Sequence, residues 1–332
     1  MTVRILSQTE VTSLLPMGEC IEVMDRVLRT LSSGGAIQPL RSGILLPEGR
    51  GVLGAMPGAI LAPLSFGLKA IVVFPGNDAS PYDSHQGLVL LFDPEHGFPI
   101  AIMDASSVTA IRTAAVSAVA TRALARRDAD DLAILGSGVQ ARTHLEAMAA
   151  VRPLSRVRAW SPNRTRLEAF VGWARKRLGI AVEAPPGPRE AVTGAGIVCT
   201  CTSSRTPVVQ GAWLADGTHV NVVGSSVPSA REVDTATIVR SRLVVDRVES
   251  ALNEAGDFLI AKAEGAVSDG HILGDLGDVL LGRLEGRTGP KDLTIFKSLG
   301  LAVEDLAAAN HVLRKAEAGG VGLVTDLGGL RD

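Results

Sequence analysis

One ten-residue stretch, Leu132-Ala133-Ile134-Leu135-Gly136-Ser137-Gly138-Val139-Gln140-Ala141, constrains this chain more than any other. An apolar run that reads as a buried strand passes into Gly-x-Gly-x-x-Ala and then into a helical pattern. Gly136 permits a tight turn, Gly138 lets the backbone approach a pyrophosphate, and Ala141 allows the helix to pack close to the strand. The helix N-terminus offers unpaired N–H groups and a positive dipole end to phosphates. The motif alone is common by chance, but here it follows a strand, opens a helix and precedes a second strand at the right distance. A nicotinamide dinucleotide is therefore expected at Gly136, Ser137, Gly138, Val139, Gln140 and Ala141.

The end of the second strand bears on which dinucleotide. NAD binders usually place Asp or Glu there, to accept from the ribose hydroxyl. This chain reads Trp160-Ser161-Pro162-Asn163-Arg164-Thr165, without an acid. Ser161, Asn163 and Arg164 suit the additional phosphate of NADP, so NADPH is the expected cofactor, with NAD as the alternative. Asn163 and Thr165 equally suit capping of the next helix.

Length and rhythm give the organisation. At 332 residues the chain exceeds what one core usually supports. In the first third, a helical period over 18–32 precedes short runs at 42–46, 51–56, 66–74, 87–92 and 99–103. These predict a mostly antiparallel sheet, with a hairpin connection at 93–97. A long Ala-rich helix follows over 107–126. Strand and helix then alternate: strands at 131–135, 157–160, 197–202, 219–224 and 243–246, helices at 139–150 and 164–178. Such alternation predicts a doubly wound parallel sheet. The last helix, 301–318, is expected to return to the first domain. The fold class expected is α/β: a Rossmann-type domain over 126–304, and a split α+β domain over 1–125 and 305–332.

Composition narrows the functional classes. Aromatics are 3% of residues, too few for stacking platforms on single-stranded nucleic acid. The net charge of -2, without runs of like charge, predicts no electrostatic affinity for nucleic acid or anionic membrane. No signal-peptide pattern and no membrane-length apolar run is seen. The odd cysteine count, with Cys199 and Cys201 two apart in a strand, fits reduced thiols and a cytoplasmic protein. The scattered histidines predict no metal site.

Several residues outside the turn stand out. Lys69 lies in the otherwise apolar run 66–74, where a charge needs a partner or an open cleft; an edge-strand lysine that discourages aggregation would read the same. Arg112, in the first turn of the Ala-rich helix, could grip a carboxylate bidentately, although solvated helix arginines are more usual. His85 could hold a substrate or donate a proton, or merely satisfy a turn. Thr200, Cys201 and Thr202 end a strand where such sheets meet their ligand. Contact with the nicotinamide ribose is expected of them, with Cys201 inert.

Together these segments carry a family resemblance: Ser84-His85-Gln86, Val89-Leu90-Leu91-Phe92, Met103-Asp104, Ile111-Arg112-Thr113, the 134–141 turn, Gly256-Asp257, and the run from Phe296 to Asp305. The chain resembles the ornithine cyclodeaminase/μ-crystallin family, and within it the μ-crystallin-type ketimine reductases. The resemblance implies a homodimer whose split domain binds substrate and partner, with the active site in a cleft against the nicotinamide. It implies that Arg41, Lys69 and Arg112 hold a substrate carboxylate, and that Lys69 exchanges a proton with the substrate nitrogen. Met56, His85, Ser226 and Phe296 are expected to shape the substrate pocket. Thr113, Val223, Gly224 and Ser225 join the residues expected to contact the dinucleotide.

At one position the chain departs from part of the family. Ornithine cyclodeaminases carry aspartate at the place matching Ser226, to manage the amine protons. A serine hydroxyl does not ionise near neutral pH and cannot act as that base. The expected reaction is therefore NADPH-dependent reduction of a C=N bond beside a carboxylate, on a small cyclic ketimine such as pyrroline- or piperideine-2-carboxylate. The alternatives are an acyclic imino-acid reductase or amino-acid dehydrogenase, a cyclodeaminase-type ammonia lyase, and a cofactor-bound binding protein without turnover.

Overall fold

The computed structural model describes residues 1–329 and resolves the chain into two compact units. Unit 1 holds Met1–Arg112 and the chain from Gly300 onward; unit 2 is Thr113–Leu299. The first division falls inside the helix Ala105–Leu124, before the expected residue 125, and the second at Gly300, before the expected 305. Helical periodicity runs unbroken through Arg112, so the sequence bears no mark of a boundary there.

Unit 1 begins with β1 (Thr2–Leu6), β2 (Ala36–Ile37), β3 (Ser42–Leu45), β4 (Val52–Leu61), β5 (Leu64–Val73), β6 (His85–Phe92) and β7 (Pro99–Asp104). Unit 2 contains β8 (Asp131–Leu135), β9 (Arg156–Trp160), β10 (Ile197–Thr200), β11 (His219–Val222), β12 (Ser241–Val245), β13 (Ile272–Asp275) and β14 (Leu293–Lys297). The last strand, β15 (Leu323–Asp326), returns to unit 1 beside β1.

The first sheet runs β15-β1-β7-β6-β5-β4-β2, with β3 alongside β4, and is antiparallel except for β1 against β7. Strand side chains alternate between faces. Register therefore puts Met56, Lys69, Val89 and Met103 in one row, and all four are buried. The helix Ala302–Gly319 packs on β4, β5 and β6, and also against the amphipathic helix Met17–Ser32. The other face carries Ile44, Leu53, Leu64 and Leu88, between 39% and 63% exposed, and Phe66 stacked on Phe92 with ring centres 5.9 Å apart.

The second sheet is parallel throughout, in the order β13-β12-β14-β11-β10-β8-β9. From β8 the chain steps out to β9, then crosses back to β10 on the other side of β8. That reversal between β8 and β10 is where sheets of this class receive ligands, at the carboxyl ends of the strands. β13 and β14 were not expected from the sequence. Among the described residues, no helix is long and apolar enough to cross a membrane.

Candidate functional site

In unit 2 the turn after β8 has the form its residues predict. Gly136 takes φ 121°, and a Cβ there would collide with the Cys201 carbonyl, so the loop after β10 closes directly on the turn. Gly138 caps the helix Val139–Val151 without a side-chain hydrogen bond, and a Cβ there would meet nothing within 4 Å. Ala141 is fully buried against the strand. An open helix N-terminus beside a turn that only glycine fits is a suitable cradle for a pyrophosphate. Gly136→Ala is expected to weaken dinucleotide binding at least about tenfold, since one strained residue costs about 1–3 kcal/mol; titrating reduced-nicotinamide fluorescence checks this.

At the end of β9, Ser161 Oγ accepts from Ser137 Oγ at 3.0 Å, linking the strand end to the turn. Asn163 does what its second reading anticipated: its Oδ1 accepts the Arg166 N–H at 3.0 Å and caps the helix Arg164–Leu178. Arg164 pairs with Glu168 at 3.0 Å, its side chain 63% exposed.

The carboxyl ends of β10 and β11 meet on a residue the sequence reading overlooked, Glu232. Its carboxylate accepts from Thr200 Oγ1 (2.7 Å), the Thr202 N–H (2.8 Å), Thr202 Oγ1 (2.6 Å) and the Gly224 N–H (2.6 Å). Val223 donates its N–H to the Thr200 carbonyl at 3.1 Å, and Ser225 Oγ donates to the Ala230 carbonyl. Ser226 follows, half-buried. Desolvation pushes the Cys201 thiol well above its ordinary value. Phe296, expected in the substrate pocket, is fully buried in β14, between β11 and β12.

Unit 1 gathers the predicted cations around two carboxylates. Lys69 is on an interior strand, 3% exposed, so it is no edge lysine. Its Nζ lies 2.8 Å from Asp305 Oδ2 and donates to Thr109 Oγ1 at 3.2 Å. Arg112 lies in the third turn of the Ala105–Leu124 helix, not the first, because capping of the Ser107 N–H by Asp104 starts that helix earlier. Arg112 Nε donates to Asp305 Oδ1 at 2.9 Å and Nη1 to Glu304 Oε2 at 2.8 Å. Gly300, at φ 82°, makes room for it: a Cβ would come within 2.5 Å of Arg112 Nη1. Arg41 Nη2 donates to the Gly300 carbonyl at 3.1 Å, so both arginines converge on that residue. Met56 sits directly across from Lys69 in the β4–β5 register.

Glu304 and Asp305 occupy the first turn of the helix Ala302–Gly319, where the positive dipole end favours anions. Gln38 completes that terminus by accepting the Val303 N–H at 3.0 Å. Burial is the main cause lowering the Lys69 ammonium to about 8; Asp305 opposes it, and Arg112 and Arg41 add to it. The His85 imidazole is also lowered, first by desolvation and then by the Lys69 charge, although the residue as a whole retains surface. Its Nδ1 lies 3.0 Å from Ser84 Oγ. The sequence did hold a signal for the overlooked acids: Glu304-Asp305 interrupts an apolar helical run, and buried acids need partners.

Known proteins match this chain along nearly its whole length. The sequence profile of the ornithine cyclodeaminase/mu-crystallin family matches residues 1–320. Ketimine reductase mu-crystallin from Mus musculus is 38% identical over 279 residues, 84% of this chain and 85% of its own. Thermococcus litoralis Δ1-pyrroline-2-carboxylate reductase, solved with NADH and L-proline, aligns with a TM-score of 0.94 and 37% identity over 97% of this chain and 99% of that one. An archaeal alanine dehydrogenase dimer with bound NAD aligns with a TM-score of 0.93 and 32% identity over 98% of this chain and 100% of that one. The chain belongs to the ornithine cyclodeaminase/mu-crystallin family.

Proposed function

We propose that this protein is a nicotinamide-dependent reductase of ketimines, acting on a C=N bond beside a carboxylate to give an L-amino or imino acid. One observation carries the reading. Lys69 and Arg112 are buried against Asp305 and Glu304, and Arg41 meets Arg112 at Gly300, so three cationic side chains converge in one place, the donor set that a substrate carboxylate calls for. Arg41 and Arg112 hold that carboxylate. Lys69, its ammonium lowered toward neutrality and its direction fixed by Asp305 and Thr109, gives a proton to the imine nitrogen. Bound reduced dinucleotide supplies the hydride that the adjacent carbon takes up. Positioning by these side chains provides much of the rate.

Cyclic ketimines such as pyrroline- or piperideine-2-carboxylate are the first substrates in this reading, and acyclic imines of 2-oxo acids the second. The relatives' names support both, since they include a pyrroline-2-carboxylate reductase and an alanine dehydrogenase. Ser226 argues against a cyclodeaminase, because it offers no carboxylate base. The test is loss of NADPH absorbance with a panel of cyclic imino acids and 2-oxo acid/amine mixtures. No oxidation with any of them would sink the reading, and ammonia release from ornithine without added reductant would establish the lyase instead.

NADPH is the preferred cofactor in this reading. The end of β9 carries no acid, and the exposed Arg164–Glu168 pair is weak enough, at about 0–1 kcal/mol, for Arg164 to turn toward a phosphate. A markedly lower KM for NADH than for NADPH would overturn that preference. The bare apolar face of the first sheet is the dimer surface in this reading, since a patch of this kind marks an interface. Leu53→Glu with Leu88→Glu is expected to halve the mass seen in sedimentation. Free thiols at Cys20, Cys199 and Cys201 fit a cytoplasmic setting.

A further inference from the structure

Three ionisable side chains of unit 2 lie outside the proposed chemistry. Glu232, Asp257 and Lys297 are 0%, 1% and 1% exposed. Charges buried this deeply are costly unless their lone pairs and protons are matched. Here the matching runs in one direction, from the middle of the sheet to the rim of the site. Lys297, on central β14, places Nζ 3.0 Å from Asp257 Oδ2 and donates to the Ser225 carbonyl. Asp257 Oδ1 accepts the N–H groups of Glu232 (2.7 Å) and Val233 (3.1 Å). Glu232 then turns its carboxylate back across the ends of β10 and β11. Oε1 receives the N–H and hydroxyl of Thr202, and Oε2 receives the Gly224 N–H and the Thr200 hydroxyl.

We propose that Glu232 is a positioning residue for the nicotinamide end of the dinucleotide site, clamping the Thr200–Thr202 loop to the Gly224–Ser226 loop, with Asp257 and Lys297 holding the clamp in place. This rests on the reading of unit 2 as a nicotinamide dinucleotide site. The clamp requires a carboxyl group. Each oxygen receives one backbone N–H, a donor that cannot reverse. A glutamine of equal size would turn its amide donors on either Thr202 or Gly224, and an aspartate would fall one methylene short.

The experiment compares wild type with Glu232→Gln and Glu232→Asp. Dissociation constants are measured by calorimetry for NADPH and for ADP-ribose 2′-phosphate, which lacks the nicotinamide, beside kcat and Tm. Glu232→Gln is expected to weaken NADPH at least about tenfold, while ADP-ribose 2′-phosphate stays within about threefold. Glu232→Asp is expected to fall between wild type and the amide. Equal weakening of both ligands, or of neither, overturns the positioning role. Should Glu232→Gln fail to fold, Thr202→Val removes one arm of the clamp and is expected to show the same selective loss at about threefold; an unselective loss there also overturns it. Wild type that binds neither NADPH nor NADH sinks the reading of unit 2 and the clamp together. Dinucleotide binding that Glu232→Gln leaves unchanged sinks the clamp alone.

Discussion

Arg112→Met is expected to lower kcat/KM for an imino acid by roughly 10²- to 10³-fold, the scale of truncating a hydrogen-bonded charge in a desolvated pair. Most of that loss should appear in KM, because the substrate carboxylate is gripped alike before and during the reaction. Stability should fall as well. Glu304 and Asp305 are both fully buried, and both lean on this guanidinium. Removing one partner of such a pair costs about 3–5 kcal/mol, or on the order of 10 °C in Tm for a protein of this size. Arg112→Lys separates the two effects. A point charge restores part of the compensation but not the planar fork that meets two carboxylates together, so Tm should recover further than KM. Unchanged KM in Arg112→Met, with the protein folded, would remove Arg112 from substrate binding.

Much of this arrangement was legible in the sequence, and the remainder had physical reasons for escaping. The helix Arg164–Leu178 matched its expected bounds because a capping Asn163 and a left-handed Gly179 mark its two ends. The turn after β8 was legible because only glycine fits its backbone. β14 was not: Leu293-Thr294-Ile295-Phe296-Lys297 ends in a lysine, and nothing local says that Asp257 neutralises it inside the sheet. The same short strand hid the enclosure of Phe296, which a reader of the chain can as easily place in a pocket.

Partners distant in sequence account for the rest. Lys69 and Arg112 drew attention as cations in apolar settings, yet their carboxylates lie near the far end of the chain, at Glu304 and Asp305. Nothing beside Glu232 in the sequence sets it apart, because Thr200, Thr202 and Gly224 reach it only through the fold. A single chain displays the charge that needs a partner and not the partner itself.

The pH dependence of Lys69 tests the proposed proton transfer most directly. In wild type, kcat/KM for imine reduction is expected to fall about tenfold per pH unit above about 8, as the ammonium loses its proton. The groups acting on it are Asp305, which favours the charged form, and Arg112 and Arg41, which oppose it; burial sets the net direction. Unfolding is not expected to produce the same limb. A lysine whose folded value lies below its ordinary 10.5 releases its proton in the folded state first, so between about 8 and 10.5 this group makes stability rise with pH. Lys69→Arg keeps a charge throughout that range, and its profile should lose the limb even though the rate drops. Lys69→Met should lose about 10²- to 10⁴-fold in kcat, the usual contribution of a positioned acid. A limb that persists near pH 8 in Lys69→Arg belongs to the substrate imine, and the proton would then have to come from elsewhere.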